Sequence, residues 1–303
     1  MTAHPPRVLL ATCAAFPQGD EDEGELREAC ACLGIDATWA VWDDPTVDWA
    51  AADLVVVRST WDYVPRRPVF LAWAGGIPRL ANPVVALAWS SDKRYLLELA
   101  ARGVPVVPTT VIADGGTLVM GGEADVVVKP SVGAGSVGAG RFSPRDPTAT
   151  IRAGAHIAEL HIHGLTAIVQ PYLEQVDTEG ETALLFFDGR FSHAVRKGPM
   201  LPDAVVHTVG GPTPQELFVP EEITPRVPSP AELRVAEQAL AAIPWPEPFL
   251  YARVDLLPSP QGPLVNEVEL VEPSLFLRHA PGSVDRLAAA IARHARWLPP
   301  PEA

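Results

Sequence analysis

Short apolar runs alternate with amphipathic segments over residues 1–82. Each run is bounded by polar or turn-forming residues, as is typical of a buried β-strand; the runs are 7–13, 35–42 and 53–59. The segment 22–34 begins with acids and ends at glycine, and 65–76 begins near prolines and ends at glycines, so both are predicted helices. This order predicts a small α/β domain with a parallel sheet.

Residues 83–109 are predicted to form a linker followed by a helix. The helix is expected from Ser91 to Arg102 because Gly103 ends the periodic pattern and Ser90 or Ser91 can cap its first turn.

The rest of the chain reads as two β-rich units. In residues 110–173 the predicted elements are strands at 124–130 and 166–173, a glycine-rich loop at 131–140 and a helix at 148–164. Residues 174–303 contain a hairpin that turns at Asp188-Gly189, a strong hairpin signal. The elements predicted after it are a loop at 198–214, a helix at 230–243, strands at 249–257 and 263–271, and a closing helix from Ser283.

Acidic residues interrupt the last two strands. Strict alternation gives each face of the last strand its own set of residues. One face has Val265, Glu267, Glu269 and Val271, and the other has Asn266, Val268 and Leu270. A turn centred on Gln261 would place Asp255 opposite Glu267, so that three carboxylates converge.

Asp255, Glu267 and Glu269 have the chemistry of a hard-cation site. Mg²⁺ binds a few carboxylate oxygens and completes its coordination with water and substrate phosphates. The alternative is an exposed sheet face whose acids are bridged by Arg253.

Composition narrows the class of protein. The chain has 303 residues, 48% hydrophobic and 20% charged, which is typical of a globular protein with a core. A net charge of −14 argues against non-specific binding to nucleic acid. The three cysteines have no CxxC spacing, which favours reduced thiols in the cytoplasm. No apolar run approaches the roughly 20 residues that span a bilayer, and 7–13 is interpreted as a strand rather than a signal peptide.

Lys129 ends an apolar strand and is followed by the glycine-rich loop. Glycines allow backbone N–H groups to approach phosphate oxygens closely. No Gly-Lys-Ser/Thr follows, so the loop is not a Walker P-loop, and it does not open a helix as a dinucleotide fingerprint does. The alternative is a flexible surface hairpin. Together with the three acids, the loop favours a Mg-nucleotide site.

The ordered motifs "SSDKRYL", "VVKP" with its glycine loop, "IVQPYL", "GETALLF", "RVDLL" and "NEVEL" resemble the ATP-grasp superfamily over about residues 82–280. The resemblance implies an α/β (α+β) ATP-grasp fold in which ATP is held between two antiparallel-rich sheets. Residues 1–82 resemble the pre-ATP-grasp domain.

Site residues follow from the resemblance. It implies phosphate contacts from Lys93 and Lys129, and a loop closing over the phosphates through Gly133, Gly135, Ser136 and Gly138. It implies an adenine-side hinge at Gln170, Tyr172 and Leu173, and ribose contacts from Glu181. Asp255 and Glu267 would bind Mg²⁺, and Glu269 stands where the family usually has asparagine. Arg253 matches an arginine that neutralises the transferring phosphoryl group, a role suited to a guanidinium.

The stretches "VVVRSTWDY", "ANP", "DKRYLLELAARGVPVVPT" and "NEVELVEPSLFL" resemble a subgroup, the O-ureido-serine cyclo-ligases of cycloserine biosynthesis. This implies ATP-dependent activation of a small amino-acid carboxylate as an acyl phosphate, which the substrate's own nitrogen attacks. One alternative is an intermolecular ligase like glutathione synthetase. Another is a nucleotide-binding module without catalysis, which the retained acids and lysines disfavour.

Candidate substrate contacts lie in three places. Arg58 could bind a carboxylate and Asp62 an amino group beside Trp61, unless Arg58 and Asp62 form a surface pair. Ser274 matches small substrate-contacting residues in relatives. In the 198–214 loop, His207 and Thr208 stand where a second arginine is expected, and Arg196 and Lys197 remain as local cations. His193 and His207 are further candidates for proton transfer, and the closing helix could support a homodimer or simply pack into the core.

Overall fold

A computed structural model describes residues 4–199, 201, 222–245 and 248–296 of the chain. In these ranges the strands form three sheets, one parallel and two antiparallel. No helix within the described ranges is both long and apolar enough to cross a membrane.

The N-terminal sheet has the order β2-β1-β3, with both pairs parallel as the sequence predicts. Its strands are β1 (Arg7–Thr12), β2 (Asp36–Val41) and β3 (Leu54–Val57), and its helices are α1 (Leu26–Cys32) and α2 (Arg67–Gly75). Every residue of β3 is buried, as expected for a strand covered on both faces.

Two short helices replace the single helix predicted for the connecting segment. They are α3 (Val84–Ser90), which the sequence interpretation treated as linker, and α4 (Tyr95–Ala101). Asp92 interrupts the helical path because its side chain accepts a hydrogen bond from Arg94 N, and the backbone N–H of Lys93 donates to Ser131 O. The predicted cap by Ser90 or Ser91 is wrong, since the helix begins at Tyr95 without a side-chain cap. Ser90 Oγ donates to Val268 O on the larger sheet, and Ser91 Oγ donates to Ala88 O. The interruption brings Lys93 to the glycine-rich loop.

The smaller antiparallel sheet has the order β4-β7-β5-β6 and is covered by one long helix. Its elements are β4 (Thr110–Ile112), β5 (Val126–Pro130), β6 (Gly140–Phe142), α5 (Ala149–Ile162) and β7 (Ala167–Pro171). Val128, Phe142 and Leu160 meet in its core. Lys129, the next residue along β5, is therefore on the opposite face of the sheet.

The larger antiparallel sheet has the order β10-β9-β8-β11-β12. Its strands are β8 (Glu181–Phe187), β9 (Arg190–Lys197), β10 (Ile223–Arg226), β11 (Tyr251–Leu257) and β12 (Leu264–Glu269). The short helix α6 (Val176–Glu179) precedes it, and α7 (Pro230–Ala241) and α8 (Ser283–Arg296) follow β10 and β12. The predicted turn is confirmed, with Asp188 and Gly189 at φ values of 53° and 71°.

The predicted register of the last hairpin is confirmed, because Asp255 pairs with Glu267. Strict alternation is wrong before that point. A β-bulge shifts the register so that Leu256 pairs with Val265 and Asn266 is the extra residue. Val265 therefore packs in the core with Val268 and Leu270, and Asn266 lies on the glutamate side.

The closing helix α8 packs against α1, and its apolar residues share a core with β1, Leu185 and Phe187. Core packing thus accounts for the apolar face of this helix. Most of the loop predicted at 198–214, including His207 and Thr208, lies outside the described residues.

Candidate active site

A cavity of about 600 Å³ lies between the two antiparallel sheets. The glycine-rich loop and β7 line one side, β12 and the end of β9 line the opposite side, and the N-terminal domain closes one end. Its volume is in the range of small-molecule and cofactor sites.

Opposite charges cluster between the two sheets, and every member of the cluster except the deeply buried Asp255 lines the cavity. Four basic and four acidic side chains form this charged cluster; they are Lys93, Lys129, Lys197, Arg253, Glu181, Asp255, Glu267 and Glu269. Equal numbers of the two signs leave the cluster close to neutral, which makes its partial burial tolerable.

Lys93 and Lys129 approach the same acid from different elements. Their Nζ atoms lie 3.7 and 3.4 Å from Glu267 Oε1. Lys93 also donates to Gly133 O at 2.7 Å, which ties the connecting segment to the loop. Burial lowers the pKa of Lys129 in spite of the nearby Glu267 charge, and Lys93 adds to the lowering. Two amines converge where an anionic group would bind.

Asp255 is the most deeply buried acid of the cluster, at 1% exposure. Arg253 Nε donates to Asp255 Oδ1 at 2.9 Å, and Lys197 Nζ donates to Oδ2 at 2.8 Å. Burial alone would raise the pKa of Asp255, but these two cations hold it below its usual range. Asp255 is therefore a fixed anion.

Glu181 and Glu269 flank Asp255 and behave differently. Burial, together with the charge of Asp255, raises the pKa of each glutamate to about 7. A nearby cation opposes this rise in each case, Lys197 for Glu181 and Arg253 for Glu269. Lys197 also contacts Glu181, and Arg253 also contacts Glu269. Each of these cations thus bridges two acids.

The cluster's oxygens suit a hard cation, although they are held by lysine and arginine in this arrangement. Among the described residues, no group of three histidine, cysteine, aspartate or glutamate side chains is already arranged to hold a metal ion. Carboxylate oxygens are the ligands that Mg²⁺ prefers. Polyphosphate would compete for the lysines, and it would thereby free Glu267 and Oδ2 of Asp255 for a metal, while Glu269 lies beside them paired with Arg253. The donor set therefore fits Mg²⁺ bound together with a nucleotide.

The glycine-rich loop lines the cavity through Gly133, Gly135 and Ser136. Gly135 and Ser136 both have φ values of 60°, in the left-handed region that glycine adopts without strain. Gly138 does not line the cavity. A Cβ there would lie 3.3 Å from Pro130 Cδ and 3.4 Å from Leu160 Cδ2, so Gly138 allows the loop to pack on its own sheet.

Gln170, Tyr172 and Leu173, predicted for the adenine side, line the cavity at the end of β7. Gln170 Nε2 donates to Thr109 Oγ1 at 3.0 Å, so its side chain is already engaged. The Arg141 guanidinium lies 3.5 Å from the centre of the Tyr172 ring and fixes it by a cation–π contact.

Past β12, consecutive backbone carbonyl groups accept hydrogen bonds from side chains of other elements. We call Val271–Leu275 the anchored wall. The donors to residues 271, 272, 273, 274 and 275 are, in order, Tyr251 OH, Trp61 Nε1, Arg58 Nη2, Arg253 Nη1 and His193 Nε2, at 2.7 to 3.1 Å. Satisfying every carbonyl from outside fixes a segment that has no regular secondary structure.

The structure corrects three predicted substrate contacts. Arg58 is 2% exposed and forms a buried ion pair with Glu23, so neither a free carboxylate site nor a surface pair with Asp62 is present. Asp62 accepts from Trp42 Nε1 at 2.8 Å and contacts Arg66. Arg196 donates to Glu179 O at 2.9 Å. None of the three lines the cavity between the described sheets.

Trp61 and Ser274 do line the cavity, on the side of the anchored wall. His193 does not, because its two ring nitrogens bond Ser192 Oγ and Leu275 O. Burial lowers the pKa of His193, which agrees with a neutral structural imidazole.

Cavity residues to which the sequence interpretation gave no role include Tyr63, Asn266 and Glu272, and Lys197 was named only as a local cation. Asn266 is the extra residue of the β12 bulge, so strict alternation put it on the wrong face, and a second bulge shifts the pairing of Lys197 by one residue. Glu272 follows the acidic strand in the sequence, but its burial depends on the N-terminal domain. Asn266 Nδ2 donates to Glu181 Oε2 at 3.0 Å, and Lys129 donates to its Oδ1 at 3.3 Å.

Comparisons with known proteins agree with this architecture. The family described as "D-cycloserine synthetase DcsG, N-terminal domain" matches residues 8–84. The cycloserine biosynthesis protein DcsG of Streptomyces lavendulae is 39% identical over 301 residues, covering 94% of this chain and 97% of that protein.

Solved structures extend the comparison. The crystal structure of D-cycloserine synthetase DcsG superposes with a TM-score of 0.82 at 36% identity, covering 96% of this chain and 100% of that one. The D-alanine–D-alanine ligase of Bacillus anthracis has a TM-score of 0.62 at 14% identity, covering 96% and 97%, and shows the shared fold alone. The ATP-grasp ligase PsnB is similar at the same level, with a TM-score of 0.60, 14% identity and coverage of 97% and 100%. This chain therefore belongs to the DcsG family of ATP-grasp ligases.

Proposed function

We propose that the protein uses Mg-ATP to activate the carboxylate of an O-ureido-serine and closes the molecule to cycloserine. The observation that carries this proposal is the charged cluster between the two sheets, in a chain that matches DcsG over 94% of its length. The cluster has the cations and carboxylates that phosphoryl transfer needs, and the relative, a cycloserine biosynthesis protein, indicates the product.

The nucleotide would enter with its phosphates toward Lys93, Lys129 and Lys197. The glycine-rich loop would cover the phosphates with backbone N–H groups. Gln170, Tyr172 and Leu173 would border the adenine, and Glu181 would meet the ribose hydroxyls. Asp255, Glu267 and Glu269 would hold Mg²⁺, which neutralises phosphate charge and orients the reacting phosphoryl group when bound.

Arg253 has the central part in the chemistry that we propose. Its guanidinium is fixed by Asp255 and by the carbonyl of Ser274, so it needs little reorganisation when charge develops beside it. A substrate carboxylate oxygen attacks the γ-phosphorus of ATP and ADP leaves. The ureido nitrogen bonded to oxygen then attacks the acyl carbon, and phosphate leaves. Cycloserine has no carbamoyl group, so water must also attack the carbonyl carbon of that group. The bond between this carbon and the ring nitrogen then breaks, and the group leaves as carbamate, which decomposes to carbon dioxide and ammonia.

The anchored wall would hold the substrate against Arg253, with Trp61 and Ser274 bordering it. A rigid wall suits a ring closure, because the attacking nitrogen and the acyl carbon belong to one molecule and must be brought together by folding that molecule. Intermolecular ligation would need space for two substrates and gives a product that contains both.

The test is release of ADP and phosphate with Mg-ATP and O-ureido-D-serine, its L-isomer, or pairs of small amino acids. Mass spectrometry identifies the product. We expect release with one O-ureido-serine isomer alone and a product smaller than that substrate. Release only with a pair of amino acids would replace this proposal with intermolecular ligation.

A further inference from the structure

One carboxyl group in the cavity wall has no hydrogen-bond or ion-pair partner among the residues that the structure describes. Glu272 is 9% exposed and lines the cavity within the anchored wall. Its carbonyl accepts from Trp61 Nε1 at 3.1 Å, and the next carbonyl accepts from Arg58 Nη2 at 3.0 Å, so its backbone is fixed. Within the described ranges, no hydrogen bond or ion pair engages its side-chain carboxyl group.

The other acids at this end of the cavity each have at least one hydrogen-bond or ion-pair partner. Asp20 Oδ1 accepts from Glu23 N at 3.1 Å. Asp22 accepts from Leu277 N and from the next backbone N–H, at 2.8 and 2.9 Å. Glu269 contacts Arg253. Among the described residues, Glu272 is therefore the acid of this end whose carboxyl group has neither a hydrogen bond nor an ion pair.

A buried carboxyl group without a donor is unfavourable unless it takes up a proton or a cationic partner. Burial, and then the charge of Glu269, raise the pKa of Glu272 to about 8 against the weaker effects of Lys93, Arg253 and Arg58. These cations act at a distance and none of them bonds the group. An ammonium ion from a ligand would supply the missing donors.

We propose that Glu272 binds the α-ammonium group of the amino-acid substrate and determines specificity for it. This rests on the proposed function, which supplies an α-amino acid whose carboxylate lies at Arg253. In such a substrate the ammonium and carboxylate groups are attached to the same α-carbon, so the protein side chains that bind them must lie close together. Arg253 Nη1 donates to the carbonyl of Ser274 at 3.1 Å, two residues after Glu272, and both side chains line the cavity, which places the two groups on the same wall.

The test compares O-ureido-serine with its analogue lacking the amino group, 3-(ureidooxy)propanoate, on wild type, Glu272→Gln and Glu272→Asp. Binding is measured by calorimetry without nucleotide, and KM for each substrate and for ATP by ADP release. We expect Glu272→Gln to weaken binding of the amino acid about 10- to 100-fold, as for loss of a charge-assisted hydrogen bond. Binding of the analogue and KM for ATP should change less than about threefold, and Glu272→Asp should recover part of the loss.

An equal loss for amino acid and analogue in Glu272→Gln would overturn the inference, because Glu272 would then only shape the pocket. Unchanged binding of the amino acid to folded Glu272→Gln would also overturn the inference. The same holds if the wild-type protein binds no amino acid more tightly than the analogue that lacks the amino group. Failure of wild type with O-ureido-serine overturns only the proposed function if another amino acid elicits ADP release. The comparison is then made with that amino acid and its analogue.

Discussion

Lys197 Nζ lies 2.8 Å from Asp255 Oδ2 and contacts Glu181 on the neighbouring strand β8. One buried ammonium ion thus joins Glu181, which lines the cavity, to the more deeply buried Asp255. The preceding residue, Arg196, points away and bonds the carbonyl of Glu179. Two adjacent cations on one strand therefore have different surroundings, and they form a matched pair for experiment.

Replacement of Lys197 by methionine should abolish most of the activity, with kcat/KM falling at least about 100-fold, because a cation that would neutralise phosphate charge is lost. Arg196→Met on the same strand should keep kcat/KM within about threefold, since Arg196 lies outside the cavity. ADP release under saturating Mg-ATP measures both. A large loss in Arg196→Met with little loss in Lys197→Met would show that the assignment is reversed.

The sequence predicted the composition of this site better than the faces of its strands. Asp255 was placed opposite Glu267 because a short turn sets the register of an antiparallel pair, and the structure agrees. From the turn at Asp188-Gly189, the same logic would put Arg196 opposite Glu181. A β-bulge opposite Leu185 and Phe186 shifts the pairing by one residue, so Lys197 and not Arg196 lies opposite Glu181. Bulges leave no clear signal in hydrophobic alternation.

Long-range burial was the other source of error. Arg58 was predicted to meet substrate because it follows a strand end, where ligands bind in open α/β sheets. Its partner Glu23 and its acceptor Pro273 are 35 and 215 residues away along the chain, and neither contact could be inferred from local pattern. The ordered lysine, glycine and carboxylate motifs were nevertheless enough to predict the fold.

Glu267 should be indispensable for turnover but not for folding. Its carboxylate forms ion pairs with both Lys129 and Lys93, and the proposed function makes it a metal ligand. We expect Glu267→Gln to lower kcat at least about 1000-fold at any Mg²⁺ concentration, because an amide binds a hard cation weakly. Lys129→Ala should cause a similar loss that extra Mg²⁺ does not restore.

Steady-state kinetics across a Mg²⁺ titration, with circular dichroism as the control for folding, checks both variants. Wild-type turnover in either folded variant would contradict the placement of the phosphates and metal at Glu267.

Replacement of Arg58 should lower the free energy of unfolding rather than selectively raise KM for one substrate. Methionine at this position leaves the buried Glu23 without its ion-pair partner and frees the carbonyl of Pro273. Breaking a buried pair on one side costs about 3–5 kcal/mol. The double variant Arg58→Met/Glu23→Gln should recover about half of that cost, because the uncompensated charge is removed.

Equilibrium urea unfolding of the two single variants and the double variant gives the coupling free energy. A stable Arg58→Met protein with a selectively raised KM for the amino acid would instead support direct contact between Arg58 and substrate.

Glu272 should make the ligand-free protein less stable as pH rises. Its pKa is about 8 in the folded protein and near the ordinary glutamate value when unfolded, so the folded state holds the extra proton between these values. The free energy of unfolding therefore falls as pH rises from about 4.5 to about 8, by up to about 1.4 kcal/mol per pH unit for this one group. Glu181 and Glu269, whose pKa values are raised to about 7, act in the same direction.

Glutamine at 272 cannot ionise, so Glu272→Gln should remove that part of the slope. The variant should be close to wild type at pH 5 and more stable at pH 8, as measured by urea unfolding without ligand at constant ionic strength. Glu237→Gln, on the exposed face of α7, is the matched control and should follow wild type at every pH. Since a bound ammonium group would compensate the ionised carboxylate, amino-acid substrate should narrow the gap between wild type and Glu272→Gln at pH 8. A gap that does not depend on pH would mean that Glu272 is ionised in the folded protein throughout this range.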